Sequence, residues 1–529
     1  MPTGLSSTSP GSLGGTGSAA ASTRRTSHVG AARRAVTDVG HLVRFRAGTV
    51  RRRVALQVTV GILAAITLAA CTLPMLLPGA RDLDGKALDV VLLMPTVFAG
   101  FLLLTVVSSV ASGGGRELLN RDQGVAFPVS PTTDHLGALL MAPLNIAWLL
   151  QAWAMLGSAA YALPLADVVP AQIVILLWVA AATSAAQIVA WTMEAIRRRR
   201  HGRWVVRASV LAFVAAAAVL QVRGSLTDFL DRLPTVAVVA RATRGFGTDW
   251  LNVVVLLVVA IVVAVVIGAV PAHLAARRPP LDEARVESGQ YAARRPAGSV
   301  VGMLMRLDRG SIWRSVPMRR GITVLGVGPG LVAIVGNMSW PSMTILPGLV
   351  ASGGVLLFGV NGWCLDGRGL LWRESLPARP SQVFAARVLV LCEFLLAASL
   401  LTVLLAALRA GVPQPQELAA ITCLVLVVTV QVVAAGMRWS WQRPYPVDMR
   451  SARATPAPPV VMVGYSTRLA LSTTFTGLAF SAFARVPDWR WSVLATLPLV
   501  AWSGYRLWRA ARAWENPVER ARVVLAVAA

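Results

Sequence analysis

Long apolar runs alternate along this chain with short stretches rich in arginine, proline and glycine. A helix that crosses a bilayer needs about 20 mainly apolar residues. By that length twelve segments qualify: 54–77, 88–110, 136–160, 168–194, 204–222 and 251–270, then 321–340, 343–364, 386–408, 417–437, 460–482 and 491–508. The pattern predicts an all-α polytopic membrane protein of about 12 transmembrane helices, arranged as two six-helix repeats.

Outside the spans the pattern divides the chain. Residues 1–35 are Ser, Thr, Gly and Ala with scattered Arg, too polar to bury a core, and read as a disordered cytoplasmic tail. The first 30 residues hold no apolar run of signal-peptide type, so no cleavable leader is expected. Residues 36–271 form the first half, 272–298 an Arg-, Pro- and Glu-rich cytoplasmic linker, and 299–529 the second half. Just before the first span, apolar residues mix with Arg44, Arg46, Arg51, Arg52 and Arg53. That segment reads either as a positive flank or as an amphipathic helix on the inner leaflet.

Three features make the halves repeats of one another. The sequence Arg-x-Leu-Leu-x-Arg-acid starts at Arg116 and again at Arg368, and each copy is followed by Pro-x-x-Pro, Pro128 and Pro131 in one, Pro377 and Pro380 in the other. Gln-aliphatic-Val-Ala-x-x-Met ends the fourth and the tenth spans, at 187–193 and 431–437. An amphipathic, Arg-ended segment precedes the first span of each half, at 42–53 and 303–320. The repeats are unequal: residues 223–250 make a long outer connection before the sixth span, and residues 484–490 a short one before the twelfth.

Composition then closes off other classes. With 56% hydrophobic and 14% charged residues, the chain lacks the charged surface of a soluble domain. The net charge of +26 follows membrane topology: with the N-terminus inside, about 41 of the 50 basic residues fall on the inner side and about nine on the outer. Both termini are then cytoplasmic, and nucleic acid is not an expected partner, since the arginines are spread over many loops. Lys86, the one lysine, is followed by Ala87, so the chain has no Walker A loop. Cys71, Cys364, Cys392 and Cys423 are isolated, and His28, His41, His135, His201 and His273 are dispersed, so no metal site and no catalytic residue is expected. Most of the 17 Trp lie near span ends, where they anchor helices at the interface. Glu194 and Glu393 lie in or at the end of spans, where charge is costly. Glu194 has arginines beside it to pair with; Glu393 is a substrate-pathway candidate, with snorkelling or helix pairing as the other roles open to it.

The doubled island is where function is to be sought. A short helix between two spans would turn Leu118 and Leu119 to the membrane domain and Arg116, Glu117, Arg121 and Asp122 to the cytoplasm, with Pro128 and Pro131 ending it. At these residues the chain resembles the permease subunits of ABC-2 type exporters, whose segment between the second and third spans carries an acidic-basic turn and then Leu-Pro-Val-Ser-Pro or similar. Residues 127–131 read Phe-Pro-Val-Ser-Pro; the second copy, Leu-Pro-Ala-Arg-Pro at 376–380, lacks Val-Ser.

The resemblance implies a fused permease pair in a bacterial plasma membrane, exporting a substrate that the apolar bundle suggests is hydrophobic. It implies coupling helices at Arg116, Glu117, Leu118, Leu119, Arg121, Asp122, Pro128 and Pro131 and at Arg368, Arg373, Glu374, Pro377 and Pro380. ABC-type ATPase subunits and membrane lipids would be its partners. ATP and Mg would bind those subunits, with no cofactor and no enzymatic chemistry in this chain. The runner-up is a proton-coupled secondary transporter of the major facilitator type. That family's loop after the second span carries Gly-x-x-x-Asp-Arg-x-Gly-Arg, whereas here the order is Arg121-Asp122. A lipid-linked glycosyltransferase is a distant third, because the outer acids form no motif.

Overall fold

Both proline turns end by starting a helix. A computed structural model describes residues 28–48, 53–82, 85–111, 129–144, 146–278, 297–357, 361–446 and 459–528. Ser130 caps the helix that begins at Pro131, its Oγ accepting from the Thr133 N–H at 3.0 Å. Pro380 takes the same first-turn position in the second half, where the Gln382 side chain accepts from the Arg379 N–H at 3.1 Å. Proline suits that place because its missing N–H would have no partner there and its φ is already helical.

In the first half the described helices are α1 (His28–Gly48), α2 (Arg53–Thr72), α3 (Lys86–Ala111), α4 (Pro131–Met141), α5 (Ile146–Ala162), α6 (Leu165–Arg197), α7 (Gly202–Val222), α8 (Leu226–Asp231), α9 (Pro234–Ala242) and α10 (Thr248–Ala276). In the second they are α11 (Val300–Arg314), α12 (Val316–Val335), α13 (Trp340–Met343), α14 (Ile345–Leu357), α15 (Gly369–Glu374), α16 (Pro380–Ala410), α17 (Pro415–Gln442), α18 (Pro459–Phe483), α19 (Arg490–Glu515) and α20 (Pro517–Ala528). No strand occurs among the described residues. Among the described residues six segments are long and apolar enough to cross a membrane: Lys86–Val110, Leu165–Arg197, Thr248–Ala276, Trp340–Leu357, Pro380–Ala410 and Pro415–Gln442. The chain is therefore all-helical with the build of a membrane-embedded protein.

One apolar run breaks where a single helix was expected. Residues 136–160 divide between α4 and α5 through a 3-10 turn, Ala142–Leu144, that contains Pro143. Proline lacks the N–H and crowds the preceding turn. Its counterpart α16 has no internal proline and runs unbroken. Within the long outer connection 223–250, the semi-apolar run 233–240 falls in helix α9, with Thr235, Val238, Val239 and Ala242 buried and the helix packed on α3 and α10.

Packing repeats between the halves. The helix before the first span lies on the helix after the proline turn, α1 on α4 and α11 on α16. Likewise α2 packs on α5 and α12 on α16, α3 on α6 and α14 on α17, α6 on α10 and α17 on α19. Glycine allows one close approach: a Cβ on Gly330 of α12 would stand 2.7 Å from Leu405 Cβ of α16. The fifth helices differ, since α18 packs on α14 and α17 while α7 leaves Trp204, Leu211 and Phe213 exposed. One main cluster of buried apolar side chains draws on residues 94–257 and the other on residues 304–527. Where the halves touch, α18 meets α2 and α5, and α12 meets α3.

Candidate functional site: the second charged turn and its buried ion pairs

The second copy of the charged island folds as the six-residue helix α15, outside the six long apolar helices. Leu370 and Arg373 are three residues apart and so share a face of any helix. A helix that buries Leu370 must bury Arg373 too, and both are buried here, at 0% and 4% exposure. Leu371 and Trp372 take the opposite side and are 51% and 61% exposed. The division expected for the first copy, leucines inward and charges outward, does not carry over to this one by register. Arg373 is turned into the bundle and Leu371 away from it.

A buried guanidinium needs carboxylates, and two are supplied from other elements. Arg373 Nη1 donates to Asp308 Oδ1 of α11 at 2.7 Å and to Asp366 Oδ1, in the turn before α15, at 3.0 Å. Arg387, on the second turn of α16 and fully buried, lies 3.1 Å from Asp308 Oδ2 through Nε and pairs with Asp366 through Nη2. Its Nη1 donates to the Gly362 carbonyl at 2.7 Å. Two arginines and two aspartates cancel, and the group as a whole carries no net charge. Burial opposes the Arg373 charge, but Asp366 and Asp308 outweigh it and hold its pKa above the ordinary arginine value.

Aromatic packing and hydrogen bonds extend the cluster. The Arg387 guanidinium sits 5.4 Å from the Trp363 ring centroid, and Trp363 stacks on Trp514 of α19 with centroids 3.8 Å apart and planes at 13°. Asn361 Nδ2 donates to the Tyr445 carbonyl at 2.9 Å, and the Gly362 N–H to Ser440 Oγ at 2.8 Å. Burial pushes the Cys364 thiol up to about 12, so this cysteine is a protonated packing group. From the outer side, Arg520 of α20 donates through Nε to Glu374 at 2.8 Å. The turn is thus tied to α11, α16, α17, α19 and α20 together.

The other sequence candidates fall as follows. Arg116, Glu117, Leu118, Leu119, Arg121, Asp122 and Pro128 lie outside the described residues. Pro131 and Pro380 are first-turn residues of α4 and α16; Arg368 and Pro377 are exposed, flanking α15. Glu393 pairs with Arg309 of α11 at 2.7 Å and is half-exposed, which places it in helix pairing between α11 and α16. Glu194 pairs with Arg197 at 2.8 Å and Arg198 at 3.1 Å. Asp308, Asp366, Arg387 and Trp363 were not singled out from sequence. An arginine seven residues into an apolar span was the available signal, since such a charge must find a partner.

Among the described residues no three His, Cys, Asp or Glu side chains gather to hold a metal ion. No family model matches the chain, and neither does any curated protein or solved structure.

Proposed function

We propose that this chain is the membrane-spanning permease of an ATP-driven exporter, with the second charged turn as one of two sites where separate ATPase subunits dock. The observation that carries the reading is α15 itself. It is a short helix between two apolar segments with Leu371 and Trp372 outward and Arg368 exposed just before it; its inward Arg373 is ion-paired to Asp308 of the helix that precedes the second half's first span, and through Asp308 and Asp366 shares carboxylates with Arg387 of the helix after the turn. A lever needs an accessible contact and a stiff connection, and α15 has both.

In this reading the twelve apolar segments all cross a bacterial plasma membrane as two six-helix halves, with both termini cytoplasmic. The island at 116–131 is the first docking site and α15 the second. ATP and Mg bind the partner subunits. Closure of those subunits rocks the halves against each other, as in other transporters built from repeats. The thin contact between the halves, and cores confined to each half, favour rigid-body movement of this kind. The apolar interior suits a hydrophobic cargo. The test is purification of the chain with the products of its neighbouring genes: an ATPase that co-purifies and responds to changes in Arg368 and Trp372 supports the proposal. Uptake or export by the isolated chain on a proton gradient points instead to a secondary carrier.

A further inference from the structure

Where α17 meets α19, three arginines face one cleft. Arg438 and Trp441 line it from α17, and Trp502, Tyr505, Arg506 and Arg509 from α19, as a shallow cleft open to the outside. Among the described residues no carboxylate pairs with any of the three arginines, and the buried Nε of Arg506 has no hydrogen-bond partner. Like charges gathered at the edge of an apolar bundle repel one another unless an anion sits among them.

The repeat shows what is unusual here. Gln-Ile-Val-Ala-Trp-Thr-Met at 187–193 is followed by Glu194, and Gln-Val-Val-Ala-Ala-Gly-Met at 431–437 by Arg438. In the first half Glu194 pairs with both Arg197 and Arg198, and Arg198 closes the junction with the sixth span by donating to the Ala275 and Arg278 carbonyls at 2.6 and 2.8 Å. The second half has a basic residue at the acid's position and adds two arginines from the facing helix. One repeat carries its own counter-ion; the other lacks it.

The surroundings identify the source of the missing anion. Trp502, Tyr505 and Trp508 are 60%, 47% and 53% exposed and follow one another along α19 with neighbouring ring centroids 5.9 Å apart. Such a row of exposed aromatic residues at the end of the apolar stretch 491–508, beyond which α19 continues to Glu515, marks the headgroup level of a bilayer. Leu494, about three turns away on the same face, is 55% exposed where acyl chains would lie. We propose that this cleft binds the phosphate of an anionic phospholipid, held by Arg438, Arg506 and Arg509, with the aromatic row against its glycerol backbone. The inference uses the membrane setting and is independent of the exporter reading.

The test uses the full chain in nanodiscs of equal phosphatidylglycerol and phosphatidylcholine, followed by release into neutral detergent and native mass spectrometry of the lipid retained. Phosphatidylglycerol is expected to be retained in preference. Arg438→Glu restores the first-half arrangement and should lower that retention by about fivefold or more, at one kcal/mol or so per arginine, with the melting temperature kept. Arg509→Gln, on an exposed residue, should lower it about fivefold and decides the matter alone if Arg438→Glu fails to fold. Equal retention of the two lipids, or wild-type retention by Arg509→Gln, overturns the proposal. Displacement of phosphatidylglycerol by excess inorganic phosphate would assign the cleft to a free anion and equally overturn it.

Discussion

Arg373 of α15 and Asp308 of α11 are joined at 2.7 Å with side chains 4% and 1% exposed, although 65 residues separate them in the chain. This contact ties the short charged helix to the helix that leads into the second half. With Arg387 and Asp366 it forms a closed set of two positive and two negative groups.

Asp308→Asn should therefore be severely destabilising, because it leaves two buried guanidinium groups sharing one carboxylate. Removing one partner of a buried pair costs about 3–5 kcal/mol. Asp308→Leu combined with Arg373→Met removes one charge of each sign and should recover most of that loss. Thermal unfolding in detergent of Asp308→Asn, of Asp308→Leu, of Arg373→Met and of the last two combined checks both expectations; losses in the combination that simply add would contradict the closed set.

Trp363→Ala tests the aromatic link from this cluster to α19. It removes the stack on Trp514 and the ring beside Arg387. A loss of about 3–5 kcal/mol is expected for a buried aromatic truncation, and protease sensitivity should rise in α19 together with the 361–368 turn. A loss confined to that turn would show that the stack does not couple the two.

Much of this arrangement was legible in the sequence, though unevenly. Pro131 is legible as a break after the charged island, but that Pro131 and Pro380 themselves begin the next helices, five or six residues ahead of the apolar runs at 136 and 386, is shown by the structure. Pro143 was equally visible, but the apolar content of 136–160 was given more weight than the break. The helical run at 233–240 could be seen from its hydrophobicity; that it packs into the bundle could not. The sequence does not show which way Arg373 faces; the resemblance implies only that Arg373 belongs to a coupling helix. Its true direction depends on Asp308, which belongs to another helix, and on Leu370, whose burial fixes the face. Long-range pairing of this sort leaves only an indirect trace, here Arg387 placed inside an apolar run.

Ser130→Ala should cost about 1 kcal/mol by removing the N-cap of α4. The effect should be local, seen as faster amide exchange at Thr133. Unchanged exchange there would mean that Pro131 alone fixes the start of the helix.

Cys364 gives the alkaline limb of stability a defined sign. Its thiol is raised by burial from 9.0 to about 12, so the native state keeps a proton that the unfolded chain has already lost. The stabilisation is full below the unfolded value and declines as pH rises from there toward the folded one. The buried Tyr445 hydroxyl is raised as well and acts in the same direction. Melting temperature should fall between these limits, and Cys364→Ser should make the fall shallower. An identical slope in wild type and variant would remove Cys364 from the account.

The central claim is that α15 receives the force of ATP hydrolysis. The most direct measurement is ATP turnover by the co-purified ATPase on nanodisc-embedded chain, wild type against Trp372→Glu. Trp372 is 61% exposed and lies outside the buried ion pairs, so the variant should keep its melting temperature. Permease-dependent turnover should drop about tenfold or more, as when an interface hot spot is lost. Unchanged turnover in Trp372→Glu, or substrate movement by the isolated chain on a proton gradient with no ATPase present, would contradict it.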